Sequence, residues 1–238
     1  MTTLFISDLH LHPSRPAVID SFREFLRQQA AGADALYILG DLFDSWIGDD
    51  YTEPAFAPVL QDLRTCTETG TPVYLMHGNR DFLIGEHFSR ITGCNLIADP
   101  TRIELYGTPT LLMHGDTLCT DDVEYQALRK KVRDPAWQEQ ALSLPVPQRL
   151  ELAAQARELS LLATDQKDET IMDVNQEEVK RVIHKYGVRL LIHGHTHRPG
   201  DHSVMLAHGT ADRIVLGDWY NHGDALVSDH DGFKRLEM

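Results

Sequence analysis

Asp8-Leu9-His10 follows the apolar run Leu4-Phe5-Ile6, and four more polar fragments close apolar runs in the same way. Gly40-Asp41 closes Leu36-Tyr37-Ile38-Leu39, and Gly78-Asn79-Arg80-Asp81 closes Val73-Tyr74-Leu75-Met76. His114-Gly115-Asp116 closes Leu111-Leu112-Met113, and His193-Gly194-His195-Thr196-His197 closes Leu190-Leu191-Ile192. Short apolar runs of this kind read as buried strands. Open α/β sheets gather their sites where the carboxyl ends of strands meet loops. Asp, His and Asn brought to one such edge make a metal site, and the number of donors suggests two ions. In an extended segment the pairs Asp8/His10 and His195/His197 each face one way, as two ligands of one ion must. A chance cluster in a chain with 13 histidines does not explain why carboxylates and an amide arrive in the same context. Oxygen and imidazole donors without cysteine suit Mn²⁺, Fe²⁺, Zn²⁺ or Co²⁺; Mg²⁺ and Ca²⁺ sites use fewer histidines. Asp41 is a natural bridge, because one carboxylate can bind two ions.

The elements that must position these residues alternate as strand and helix, an α/β pattern. Strands are expected near 3–7, 35–39, 72–77 and 188–192. Helices are expected near 16–30, 54–67, 83–92 and 177–186. Residues 102–114 read as a hairpin turning at Tyr106-Gly107-Thr108-Pro109, and Asp229-His230-Asp231-Gly232 marks a second. Residues 120–171 differ: they are rich in helix formers and punctuated by Pro135, Pro145 and Pro147. The expected organisation is a core of residues 1–119 and 172–238 with a helical lid insertion at 120–171. The plain alternative is a helical subdomain that never meets substrate. Long insertions beside a site are usually functional, which favours the lid.

The chain has 238 residues, 42% of them hydrophobic, so a sizeable core is expected. Its net charge of −14 disfavours a nucleic-acid partner. Cys66, Cys94 and Cys119 form no C-x-x-C pair, which points to a reducing compartment. Cys119 reads as a small buried thiol, and no nucleophile is inferred. No signal peptide or transmembrane stretch is evident. His12 could face the site, His77 is not a matched ligand, His193 reads as a supporting or structural group, and Asp44, Asp49 and Asp50 read as groups of the Asp41 loop or supporting it.

In order, D-x-H, G-D, G-N-x-D, H-G-D and G-H-x-H resemble the signature of calcineurin-like metallophosphoesterases. The resemblance implies two packed mixed sheets flanked by helices (αββα) around a dinuclear site. It assigns Asp8, His10, Asp41 and His197 to one ion, and Asp41, Asn79, His114 and His195 to the other. Asp41, Asn79, Arg80, His114 and His195 would be the catalytic set. Many members carry histidine where Arg80 stands. Arginine cannot serve as a general acid but can clamp phosphate oxygens.

Longer stretches, among them Trp46-Ile47-Gly48-Asp49-Asp50, His77 through Leu83, His114 through Asp122 and Ile171-Met172-Asp173-Val174-Asn175, resemble the lipid A-pathway pyrophosphohydrolases of that superfamily. That branch implies water attack at the α-phosphorus of UDP-2,3-diacylglucosamine, releasing UMP and 2,3-diacylglucosamine 1-phosphate, with Mn²⁺ as the metal. It implies substrate contacts at Asn79, Arg80, Asp122, Tyr125, Arg157, Ser160, Thr164, Lys167 and His195. It also implies a cytoplasmic protein held peripherally at the inner membrane, expected as a monomer. Without the resemblance, the contacts in 120–171 would read as an exposed polar helix face. The lid here is less basic and less bulky than family lids, although Leu142, Leu144, Val146, Leu150, Leu152, Leu159, Leu161 and Leu162 could line an acyl groove. A metallophosphoesterase for another nucleotide or phosphodiester, or a non-catalytic scaffold of the same fold, are the alternatives.

Overall fold

Leu4 and Ile6 face one way along the first strand and Phe5 the other, yet all three are buried. A strand apolar on both sides must be covered on both sides. The computed structural model, which describes residues 2–166, 171–220 and 222–238 (the backbone course alone at 161–166), shows both covers. Leu4 and Ile6 meet helices, and Phe5 meets a second sheet.

The first sheet contains β1 (Thr3–Ile6), β2 (Ala35–Leu39), β3 (Val73–Met76), β4 (Asn95–Ile97), β10 (Asp224–Asp229) and β11 (Gly232–Glu237). Its order is β11-β10-β1-β2-β3-β4, with β1 to β4 parallel, β10 antiparallel to β1, and β11 antiparallel to β10. The second contains β5 (Thr101–Leu105), β6 (Thr108–Met113), β7 (Leu190–His193), β8 (Gly200–Leu206) and β9 (Gly209–Val215). Its order is β5-β6-β7-β9-β8, with β6, β7 and β9 parallel. Phe5, Leu39, Met76, Leu112, Ile192 and Ile214 fill the space between the sheets. Helices α1 (Pro16–Phe25), α2 (Ala57–Glu68) and α3 (Glu86–Thr92) cover the first sheet through Phe22, Phe25, Val59, Leu63 and Phe88. A helix further along, Gln176–Tyr186, covers the second through Val179, Val182 and Ile183. This is the expected αββα arrangement of two mixed sheets. Because β1, β2 and β3 run parallel, their carboxyl ends lie side by side, as do those of β6 and β7.

Between β6 and that covering helix lie α4 (Val123–Val132), α5 (Pro135–Leu142) and α6 (Val146–Gln166), which makes the covering helix α7. Asp122 accepts the Tyr125 N–H at the start of α4, and Asp134 accepts that of Ala136 at the start of α5. Neither α4 nor α5 has a buried residue, so this segment is not part of the apolar core.

The hairpin at 106–107 turns through two residues with φ of 47° and 84°, the geometry of a tight type I′ turn. Sequence periodicity missed β4 and β8. β4 is three residues long, and β8 is an edge strand whose Asp201, His202 and Ser203 are exposed. Neither leaves an apolar run to read.

After β9, Trp219 is buried edge-on against Phe22 and Phe25, at 6.0 and 5.7 Å between ring centroids. Its indole N–H donates to the Asp224 carbonyl. Trp219→Ala empties this corner and is expected to cost about 3–5 kcal/mol, measured by urea unfolding of the metal-free protein.

Candidate metal centre

The loops after β1, β2, β3, β6 and β7 converge, and their backbones are bent to do it. Among the described residues six non-glycine positions have positive φ. Five of them are Asp8 (56°), His10 (46°), Asp41 (53°), His195 (69°) and His197 (53°); the sixth, Tyr106, is the hairpin turn. Only a few per cent of non-glycine residues adopt this region, Asn, Asp and His most readily, and five such residues in one cluster mark a functional site. Glycines make the close approaches possible. A Cβ on Gly78 would lie 2.0 Å from Asp41 Oδ1, and one on Gly194 would lie 2.3 Å from Asp8 Oδ2.

Two groups of donors result. Ligand atoms of Asp8, His10 and His197 lie within 4.8 Å of one another, as do those of Asp8, Asp41 and His114. Asp41 Oδ2 stands 3.7 Å from His10 Nε2 and 3.9 Å from His114 Nε2, between the two groups. Asn79 Oδ1 lies 2.9 Å from His114 Nε2 and 3.0 Å from His195 Nδ1. Asp8, His10, Asp41 and His114 are buried, while Asn79, His195 and His197 are partly open. The structure thus brings all seven expected ligands together.

The donor chemistry fits cations. His114 Nδ1 faces the Leu39 carbonyl at 2.9 Å, so its proton belongs there and the Nε2 lone pair points at Asn79 Oδ1, another acceptor. His10 and His197 face each other through Nε2 atoms 3.2 Å apart, with Asp8 Oδ1 3.3 Å from His197 Nε2. Among the described residues no donor meets Asp8 Oδ1 in a hydrogen bond. Buried acceptors aimed at acceptors need a positive charge between them. Protons supply it in a metal-free site. Burial opposes charge on His114, but the Asp41, Asp8 and Asp116 carboxylates override it and raise its pKa to about 9. Burial raises Asp41 as well. Desolvation within the cluster and the neighbouring charge on His114 lower His195 to about 4.

The surrounding groups hold this arrangement. Asp81 accepts the Leu42 and Gly78 N–H groups, tying the second and third loops together. Asp116 accepts from Tyr125 Oη at 2.7 Å and Arg129 Nε at 2.6 Å, which brings the Tyr125 ring to 5.8 Å from that of His195. His193 is buried against Arg213, His77 contacts the Ile84 carbonyl, and His12 contacts Ser14. Asp49 accepts from Trp46, Gly85 and Phe88. Cys119 is buried, its thiol pushed up to about 12.

Of the residues expected in 120–171, Ser160 Oγ accepts from Arg80 Nη2 at 3.0 Å. Asp122 and Tyr125 stand at the start of α4, beside His195 through the tyrosine ring. Arg157 pairs with Asp44. It lines a cavity of about 230 Å³ with Leu11, Trp46, Phe56, Leu150 and Ala153. Lys167 and the side chains of Leu161, Leu162 and Thr164 lie outside the described residues. Of the leucine stripe, Leu150 lines this cavity while still partly facing solvent, and Leu142, Leu152 and Leu159 are exposed.

Sequence reasoning missed three fastenings. Arg149 is buried and binds Asp50 and the Ile47 carbonyl. Arg133 donates to the Gly78 carbonyl at 2.7 Å and lies over Phe82. Asp218 meets His197. The last was findable: Gly217-Asp218 closes Ile214-Val215-Leu216 just as Gly40-Asp41 closes its own run.

The calcineurin-like phosphoesterase family model matches residues 1–199. The chain is 51% identical over 241 residues to a protein named UDP-2,3-diacylglucosamine hydrolase from Stenotrophomonas maltophilia, covering 98% of this chain and 97% of the relative. It is 52% identical over 245 residues to one of the same name from Xanthomonas campestris pv. campestris, covering 100% and 99%. A solved structure described as a novel archaeal phosphodiesterase superposes over both whole chains with a TM-score of 0.52 at 12% identity, a likeness of fold alone.

Two outcomes are expected. Because His114 must shed its proton to bind a metal, Mn²⁺ affinity should rise with pH up to about 9, by up to about tenfold per unit for each proton displaced. Calorimetry in buffers of different ionisation heat measures the protons released. Arg149→Met should speed hydrogen exchange in α6 while leaving exchange in β1 to β3 unchanged.

Proposed function

The chain belongs to the calcineurin-like phosphoesterase family, and from that membership we propose that it hydrolyses the pyrophosphate bond of UDP-2,3-diacylglucosamine. Water attacks the α-phosphorus, giving UMP and 2,3-diacylglucosamine 1-phosphate, a step of lipid A biosynthesis. The observation that carries this reading is end-to-end relatedness at 51–52% identity with every ligand position filled. A scaffold that had abandoned catalysis would have no reason to keep strained backbone under five ligands.

The residues divide the work. Asp8, His10, Asp41 and His197 would hold one divalent ion, and Asp41, Asn79, His114 and His195 the other. Bound ions supply an activated water and polarise phosphoryl oxygens. Arg80 is fixed at both ends: its N–H donates to Asp41 Oδ1 at 2.8 Å and its guanidinium to Ser160. That guanidinium would bind phosphate oxygens as charge grows on them. Asp122, Tyr125, Arg157, Ser160, Thr164, Lys167 and His195 complete the proposed substrate contacts, with residues 120–171 acting as a lid. The cavity beside Arg157 supports a place for acyl chain.

Manganese as the metal, action as a monomer, and peripheral residence on the cytoplasmic face of the bacterial inner membrane belong to the same proposal. The donor set supports Mn²⁺. Exposed Val123, Leu128, Leu142, Leu152 and Leu159 support membrane contact. Among the described residues no helix is long and apolar enough to cross a membrane.

Phosphorus NMR of purified protein with Mn²⁺ and UDP-2,3-diacylglucosamine should show UMP and the sugar 1-phosphate. Turnover of generic phosphodiesters alone would sink the assignment. Asp41→Ala should abolish hydrolysis together with metal uptake. Arg80→Ala should lower kcat about 10²–10³-fold with metal content unchanged, read by elemental analysis.

A further inference from the structure

Asp218 and Tyr220 flank the buried Trp219, and both turn back towards the metal centre. The segment that carries them is firmly held. Leu216 N–H donates to the His193 carbonyl and Trp219 N–H to the carbonyl of Asp8. With Trp219 locked against α1, its two neighbours project to the opposite side. Tyr220 lies 5.6 Å from the His10 ring and 5.7 Å from that of His197, with the Arg15 guanidinium 4.6 Å over its own ring. The oxygens of Asp218 are divided. Oδ1 accepts the Tyr220 N–H at 2.8 Å, and Oδ2 stands 3.4 Å from His197 Nδ1.

His197 therefore has a different neighbour at each ring nitrogen. Nε2 points inward to Asp8 Oδ1 and His10 Nε2, and Nδ1 points outward to a carboxylate. A carboxylate there keeps the proton on Nδ1 and leaves the Nε2 lone pair for a cation. His114 follows the same scheme, with the Leu39 carbonyl as its outer acceptor.

We infer that Asp218 is a positioning residue: its carboxylate fixes the tautomer and orientation of His197 and so sets the affinity of the site for a divalent cation. The inference rests on the metal-dependent reading above, and its test separates the two.

Protein stripped by a chelator is titrated with Mn²⁺, and free Mn²⁺ is read by electron paramagnetic resonance, for wild type, Asp218→Asn and Asp218→Ala. Asparagine keeps an acceptor for the Tyr220 N–H and removes the carboxylate from His197. Both variants should bind one of the two Mn²⁺ ions about 10–100-fold less tightly than wild type, with Asp218→Asn melting, metal-free, at the wild-type temperature. Wild-type affinity in Asp218→Asn would overturn the inference, since the turn contact would then be all that mattered. A lowered metal-free melting temperature in Asp218→Asn alongside weaker binding would overturn it too, by assigning the loss to the turn. A wild-type protein that takes up no Mn²⁺ would overturn the metal reading itself and the inference with it.

Discussion

Lone pairs confront lone pairs at the centre of this protein. His10 faces His197, His114 faces Asn79, and Asp41 stands between the two groups with one oxygen towards both. Such an assembly is unfavourable in a buried setting until a positive charge is shared among its members. The backbone beneath it is unfavourable as well, since each left-handed residue outside glycine costs about 1 kcal/mol or more. Neither would persist locally. Both persist because the parallel strands fix where each loop begins, and because both faces of those strands are packed. The two-sided burial of Leu4, Phe5 and Ile6 is thus as much a requirement of the centre as the ligands are.

The helices of 120–171 are attached by a different principle. Core elements meet through leucine, phenylalanine and valine, whereas guanidinium groups make many of the attachments of these helices to the core. Arg149 takes the Ile47 carbonyl and Asp50, Arg157 takes Asp44, Arg133 takes the Gly78 carbonyl, and Arg129 takes Asp116. Three of these receivers lie within three residues of Asp41, Asn79 or His114, so the fastenings grip the loops that do the chemistry. The attachment is directional, and apolar contact adds to it where Trp137 meets Phe82 and where Leu150 and Ala153 line the cavity with Trp46 and Phe56.

The centre was legible in the sequence because it repeats one local device, an apolar run ended by a polar fragment. The αββα layering was carried by family resemblance and by the doubly apolar strands, and β5–β6 could be read from Tyr106-Gly107. What escaped had no local signature. β4 is an edge strand of only three residues and β8 an edge strand with exposed polar residues, and arginine fastenings join residues far apart in the chain, 55 positions for Arg133 and Gly78 and 99 for Arg149 and Asp50. Asp218 escaped for another reason. It has the same device, but a lone aspartate after glycine is common, and only the fold brings it beside His197. The leucines expected to line a groove show the limit of periodicity, because the helix turns Leu152 and Leu159 to solvent and presents Leu150 and Ala153 to the cavity.

The register of β1 carries one more consequence. Thr3 lies opposite Ser228, and the carbonyl of Asp8 is met by Trp219. Asp8 and His10, the first two ligands in chain order, are therefore secured by residues more than two hundred positions further along. Without Trp219 and β10 the β1 loop lacks its outer neighbour, and the left-handed turns at Asp8 and His10 lack their support. Ligand affinity at one loop is thus tied to long-range pairing at the other side of the sheet, and a chain cut before Trp219 would offer metal ions an unfinished cradle.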